Sequence, residues 1–189
     1  MYDYITIERT YGSGGHKIAE QLAKKLNYRI YDRSVVVETC KRMGLDYDVV
    51  SGMDEQNPVK TFFNAPGENL SMEEKIYKTE VDIIKEAAEQ PGCIFVGRGA
   101  SEILKDKKCL KVFITASEAY RRGRARDVEK IEENKIDETM KKFDKKREKF
   151  FTTHSGAKWG SIEYFDLIID SEEISVDGAV AMLEALAKA

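Results

Sequence analysis

The chain has 189 residues, 42% of them hydrophobic, which suits one α/β domain with a substantial core. Its 31 Lys and Arg nearly balance 34 Asp and Glu, and a net charge of −3 argues against a dedicated nucleic-acid binder with its usual basic excess. Cys40, Cys93 and Cys109 match no disulfide or metal pattern, no run is long enough to span a bilayer, and no basic and apolar leader opens the chain, so a cytoplasmic protein without a membrane partner is expected.

Residues 3–8 read as a first strand, followed by Glu8-Arg9-Thr10-Tyr11-Gly12-Ser13-Gly14-Gly15-His16-Lys17. From Gly15 to Leu26 the apolar residues Ile18, Ala19, Leu22, Ala23 and Leu26 recur at steps of three and four, which predicts a helix with one core-facing stripe. Lys24 and Lys25 suit its C-terminal dipole, and Asn27 is its stop. Arg29–Tyr31 reads as a short strand and Ser34–Met43 as a helix ending at Gly44. Residues 46–70 have weak periodicity, two prolines and several Asn and Gly, and are expected to be an irregular, mobile arm. Ser71 with Glu74 is a capping box that opens a long helix ending before Pro91-Gly92.

Cys93–Val96 is a continuous apolar run, the pattern of a strand buried on both faces, and it ends in Gly97-Arg98-Gly99. Leu110–Ile114 is the next strand. Two charged helices are expected over about 118–130 and 136–150, then a last strand at Asp166–Asp170 and a last helix striped by Val176, Ala179, Val180, Leu183 and Leu186. Strands alternating with helices predict a parallel sheet covered on both faces. In such sheets ligands sit beyond the carboxyl ends of the strands. Polar and glycine signals follow Ile7, Tyr31, Val96 and Ile114, so four strand ends agree.

A strand, a glycine-rich turn and an amphipathic helix make the layout of a phosphate-binding loop. Gly12, Ser13, Gly14, Gly15, His16 and Lys17 are the candidate phosphate-binding residues. The loop nevertheless lacks GK[ST]. With Gly14 as the second glycine of GxxxxGK[ST], Arg9 takes the first glycine position, Gly15 the lysine and His16 the hydroxyl. Sliding by one puts His16 at the lysine and Lys17 at the hydroxyl. A backbone cradle survives either way. The point charge on a transferred phosphate must then come from elsewhere, with Arg9, His16 and Lys17 as candidates, or be absent. The bland alternative is a glycine turn that only shapes the junction.

The stretch from Ile5 to Asp32 resembles the cytidylate kinase-like family of bacteria, through Ile5-Thr6-Ile7, Tyr11-Gly12-Ser13-Gly14-Gly15, Ile18-Ala19, Leu22-Ala23, Leu26 and Tyr31-Asp32. Phe95–Gly99, Asp144 with Arg147, and Thr153–Gly160 resemble further blocks, so the likeness covers nearly the whole chain. It implies a three-layer P-loop kinase fold over residues 1–189, with 46–70 as the arm and about 118–160 as an arginine-bearing lid. It also implies phosphorylation of a pyrimidine nucleoside monophosphate by ATP with Mg²⁺. Cytidylate kinases themselves keep the loop lysine, and this chain does not.

That resemblance gives Asp32, Arg33, Ser34 and Arg147 candidate roles, and the residues themselves suggest roles for the other polar groups, most beside a plainer one. Asp32, Arg33 and Ser34 would face the acceptor nucleotide, or Asp32 or Ser34 simply caps the next helix. Arg98, between glycines, suits an acceptor phosphate or a structural ion pair. Arg121, Arg122, Arg124 and Arg126 crowd one helix, and Arg121 and Arg124 lead as catalytic or ATP-contacting groups against a solvated-face reading. Arg147 is a lid or acceptor-side arginine, or a surface partner of Asp144. Trp159, near His154 in a Ser/Gly/Lys turn, is expected as a packing anchor, with shaping of the acceptor pocket as the alternative. His16 and His154 are too few for a zinc site, and no protein metal ligand is expected. Two rival readings stand beside the kinase: a non-catalytic binder of a nucleotide or phosphorylated metabolite, and a kinase of a non-nucleotide small molecule.

Overall fold

The computed structural model describes residues 1–53 and 70–189. Among these described residues, five strands form one sheet: β1 (Tyr4–Arg9), β2 (Arg29–Tyr31), β3 (Cys93–Val96), β4 (Cys109–Thr115) and β5 (Leu167–Asp170). All pair in parallel, in the order β2-β3-β1-β4-β5. The helices are α1 (Gly15–Leu26), α2 (Arg33–Met43), α3 (Tyr47–Met53), α4 (Met72–Ala87), α5 (Ala100–Ile103), α6 (Glu118–Asp127), α7 (Ile136–Ser155) and α8 (Val176–Lys188). Central β1 lies between β3 and β4, so the chain order reverses at its carboxyl end, where the loop begins.

Strand alternation divides the core into two layers. Ile5 and Ile7 face α1 and α8, packing with Ile18, Leu22, Val180 and Leu183. Tyr4, Cys93 and Phe95 face the opposite side with Ile83 and Ile84 of α4. Full burial of such aliphatic side chains contributes about 1.5–3 kcal/mol each. Further along that second side, Phe113, Phe151 and Phe165 form a smaller aromatic core under α7. The same alternation sends the last two residues of β1 to different sides: Glu8, beside Phe113 in register, and Arg9, beside Ile114.

Several boundaries differ from the sequence expectation. The irregular segment expected over 46–70 starts with α3, because Val49 and Val50 N–H donate to Asp46 O and Val50 buries against Val36, Cys40 and Ile76. A helix of seven residues, barely two turns, leaves no legible period. Residues 54–69 lie outside the described residues. The helix expected to end near 150 runs to Ser155, where left-handed Gly156 closes it (φ +68, N–H to Thr152 O 3.0 Å). His154 is therefore in its last turn rather than in a loop. The helix expected to reach 130 ends at Asp127, leaving Val128 exposed.

Candidate phosphate site at the strand ends

Thr10 N–H donates to Ile114 O (3.0 Å) and carries the β1 ladder into the loop. Gly12 (φ +77) and Gly14 (φ +80) then turn the backbone left-handed. A Cβ on Gly12 would stand 2.6 Å from Arg121 O, so only glycine lets the loop pass α6. Gly14 is the N-cap of α1 and supplies no side-chain acceptor, which leaves the first-turn N–H groups facing outward, as an anion requires. The Ser13 hydroxyl is spent within the turn, donating to Thr10 O (2.8 Å), and the Ser171 hydroxyl holds the loop through Ser13 O (2.6 Å).

Two helices close on this loop. The Asp144 carboxylate of α7 accepts from Tyr11 N–H (2.6 Å) and pairs with Arg121 Nη1 of α6 (2.6 Å), while Arg121 Nη1 also lies 3.1 Å from Tyr11 O. Arg147 Nη1 donates to Arg9 O (3.2 Å), with its guanidinium over the Tyr11 and Phe143 rings. The Arg124 guanidinium lies against the loop, and a Cβ on Gly14 would be 3.3 Å from its Cζ. Its Nε is buried without a hydrogen-bond partner. Arg122 and Arg126 point away, pairing with Glu133 and Asp137 and with Asp127 and Glu133. The four arginines thus divide into two at the loop and two in solvent-exposed pairs.

Arg9 keeps part of its surface open, but its guanidinium is packed among protein atoms. That burial, then the Arg147 guanidinium, push its pKa down to about 9, with Glu8 and Asp32 opposing and Arg98 adding to the push. A guanidinium stays protonated in proteins, so the shift expresses poorly compensated positive charge. Burial likewise lowers Arg147, against Asp144 and Glu8. Burial raises Glu8 above the usual carboxylate range, while Arg9, the nearby Trp159 indole, Arg147 and Arg98 pull it back. At the strand ends several cations therefore gather around the buried carboxylate of Glu8.

Asp32, at the end of β2, accepts from Ser34 N–H (3.3 Å) and caps α2. Its other oxygen lies 3.6 Å from His16 Nδ1, which brings β2 to the first turn of α1. His16 also meets Glu20 (3.4 Å), and Lys17 lies 4.0 Å from Glu20 on the exposed side of α1. Arg33 and Ser34 are exposed at the start of α2. Arg98 has φ +63, pairs with fully buried Glu80 of α4, and lies 4.5 Å from the Phe150 ring centroid. Tyr77 of α4 stacks on His154 of α7 at 3.5 Å, beside Phe150. Trp159 packs edge-on against Phe113 (5.1 Å).

Two charged residues of this region escaped sequence reasoning, yet both interrupt apolar patterns. Glu8 takes the inward place after Tyr4 and Thr6, and Glu80 sits on the stripe of Ile76, Ile83, Ile84 and Ala87. A charge on a buried stripe is itself a signal. A depression of about 460 Å³, lined by Arg42, Thr79, Asp82, Lys85, Glu86 and Glu89, contains none of the expected site residues. Among the described residues no cluster of three His, Cys, Asp or Glu could cage a metal ion, and no helix is long and apolar enough to cross a membrane. Nucleotide-borne magnesium keeps several waters and one or two carboxylates, and the Asp32 carboxylate beside α1 could join such a donor set only through the oxygen that faces His16, its other oxygen being held by Ser34 N–H.

The cytidylate kinase-like family matches residues 4–173. Among solved structures, an uncharacterized protein from Eubacterium ventriosum is 25% identical, with a TM-score of 0.77 and 98% of each chain covered. A shikimate kinase from Bacteroides thetaiotaomicron is 16% identical, with a TM-score of 0.60 over all of both chains. A shikimate kinase from Acinetobacter baumannii is 13% identical, with a TM-score of 0.55 over all of this chain and 94% of that one. These likenesses give the parallel sheet as that of a P-loop kinase-type fold. No curated protein matches the chain.

Proposed function

The chain belongs to the cytidylate kinase-like family, and from that premise we propose that it is an ATP-dependent phosphotransferase acting on a pyrimidine nucleoside monophosphate. The observation that carries this reading is the convergence of Arg9, Arg124 and Arg147 on a glycine loop whose helix N-terminus is uncapped. Phosphoryl transfer asks a protein for positioning and charge neutralisation, and this arrangement offers both.

The loop amides and the α1 N-terminus hold the nucleotide phosphates. Asp32 is the residue that would hold magnesium carried in with the nucleotide, which would supply further positive charge to those phosphates. Arg124 and Arg147, on helices that Asp144 ties to the loop, neutralise the transferring group and exclude water. The acceptor lies between β2 and β3, near Asp32, Arg33, Ser34 and Arg98. No covalent nucleophile is needed.

A second reading is favoured by Glu8. A phosphate acceptor arrives without a proton to remove, whereas a hydroxyl acceptor needs a base, and Glu8 is a buried carboxylate at the crevice. That would make the chain a kinase of a hydroxylated small molecule. The test is acceptor-dependent ADP formation from ATP-Mg²⁺, across nucleoside monophosphates and hydroxylated carboxylic acids with a no-acceptor control. Turnover with CMP or dCMP supports the first reading, and turnover with a hydroxy acid alone supports the second. No turnover with any acceptor leaves a phosphate-binding scaffold that does not transfer.

A further inference from the structure

Two glycines are shaped around the Arg9 side chain. A Cβ on Gly15, the first residue of α1, would stand 2.6 Å from Arg9 Cβ and 3.0 Å from Cγ. A Cβ on Gly97, just after β3, would stand 2.5 Å from Arg9 Nη1. The side chain therefore leaves β1, passes the start of α1 and ends over the carboxyl end of β3. Gly97 is also left-handed (φ +77), so both its conformation and its missing side chain serve this passage.

Positions 9 and 15 are those that GxxxxGK[ST] gives to its first glycine and its lysine. Here the cation stands at 9 and the glycine at 15, and each excludes a side chain at the other. The two departures are one exchange. Arg9 makes no direct ion pair with a described residue, and around it the like charges of Arg147 and Arg98 stand against the opposite charges of Glu8 and Asp32. A desolvated cation with no directly paired carboxylate is costly to keep, and an arriving anion offsets that cost.

We infer that the slot between Gly15 and Gly97 makes Arg9 the phosphate-binding cation of this loop, moved from the helix to the end of β1, where it takes a phosphoryl group between the loop and the end of β3. This rests on the phosphate-loop reading but not on turnover. The group is either the terminal phosphate of a nucleoside triphosphate or the phosphate monoester of the acceptor.

The test compares wild type, Arg9→Gln, Arg9→Lys and Gly97→Ala by calorimetric titration, with melting curves for each. The probes are ADP-Mg²⁺, a non-hydrolysable ATP analogue with Mg²⁺, CMP and cytidine. Ligand-free Arg9→Gln is expected to melt at or above wild type, since it removes a desolvated cation that makes no direct ion pair. It should also lose about tenfold or more in one preference, with Arg9→Lys between the two. Loss of the analogue-over-ADP preference assigns the terminal phosphate, and loss of the CMP-over-cytidine preference assigns the acceptor. Gly97→Ala should show the same loss with the arginine still present. The inference is overturned if both preferences survive in Arg9→Gln, or if that variant melts well below wild type with both intact. An Arg9-dependent preference in a protein that never forms ADP would sink the kinase reading and leave this one standing.

Discussion

Arg9 and Gly15 exclude one another's side chains: a Cβ on Gly15 would lie 2.6 Å from the Cβ of Arg9. Restoring the usual loop lysine by Gly15→Lys alone should therefore overpack the start of α1, costing about 1–3 kcal/mol. The double variant Arg9→Gly/Gly15→Lys should recover most of that loss. A denaturant double-mutant cycle measures the coupling. Additive effects of the two changes would mean that the residues do not share space.

The Asp144 bridge between Tyr11 N–H and Arg121 should hold loop and lid helices together. Asp144→Ala leaves a buried amide and a largely buried guanidinium without this acceptor. Global stability should fall by about 1.5–3 kcal/mol, and amide exchange at Tyr11 should quicken. Unchanged exchange at Tyr11 would remove the bridge from the account.

The two inward arginines of α6 should separate from the two outward ones. Arg124→Ala is expected to lower kcat on the order of 10³-fold with little change in melting temperature. Arg122→Ala and Arg126→Ala should stay near wild type, because their partners are exposed surface carboxylates. Equal losses in the three variants would contradict the division seen here.

Much of this arrangement is legible in the sequence. The alternation of strands and helices, the glycine loop and the switch point follow from periodicity and from where Gly and polar residues interrupt it. The exchange between positions 9 and 15 appears there as two unrelated departures from GxxxxGK[ST], because only the fold shows that one side chain fills both places. Glu80 was equally hidden as a partner for Arg98, since it lies eighteen residues earlier on another element. Helix α3 is invisible to periodicity for the physical reason that its seven residues make barely two turns.

Glu8 should give stability a pH dependence of defined sign. Its folded pKa is raised, so the native state binds the proton more tightly than the unfolded chain. Stability then declines as pH rises from the ordinary glutamate value of about 4.3 toward the folded one. Glu8→Gln removes that decline. Melting curves from about pH 4 to pH 8 should show the variant gaining on wild type as pH rises. A gain in the opposite direction would reverse the assignment.

Burial pushes the Cys109 thiol up to about 11 and raises Cys93 and Cys40 as well. All three are buried free thiols. At about pH 8.5 a thiol reagent should leave the native protein almost unmodified and label three cysteines after unfolding. A fast-reacting native thiol would contradict the packing around it.

Phosphoryl transfer itself is most directly tested by following a reaction of the full chain with ATP-Mg²⁺ and CMP by phosphorus NMR. The account predicts CDP and ADP rising together in equal amounts, with no inorganic phosphate beyond the no-enzyme control. ADP accompanied by inorganic phosphate and unchanged CMP, or an unchanged spectrum at high protein concentration, would contradict it.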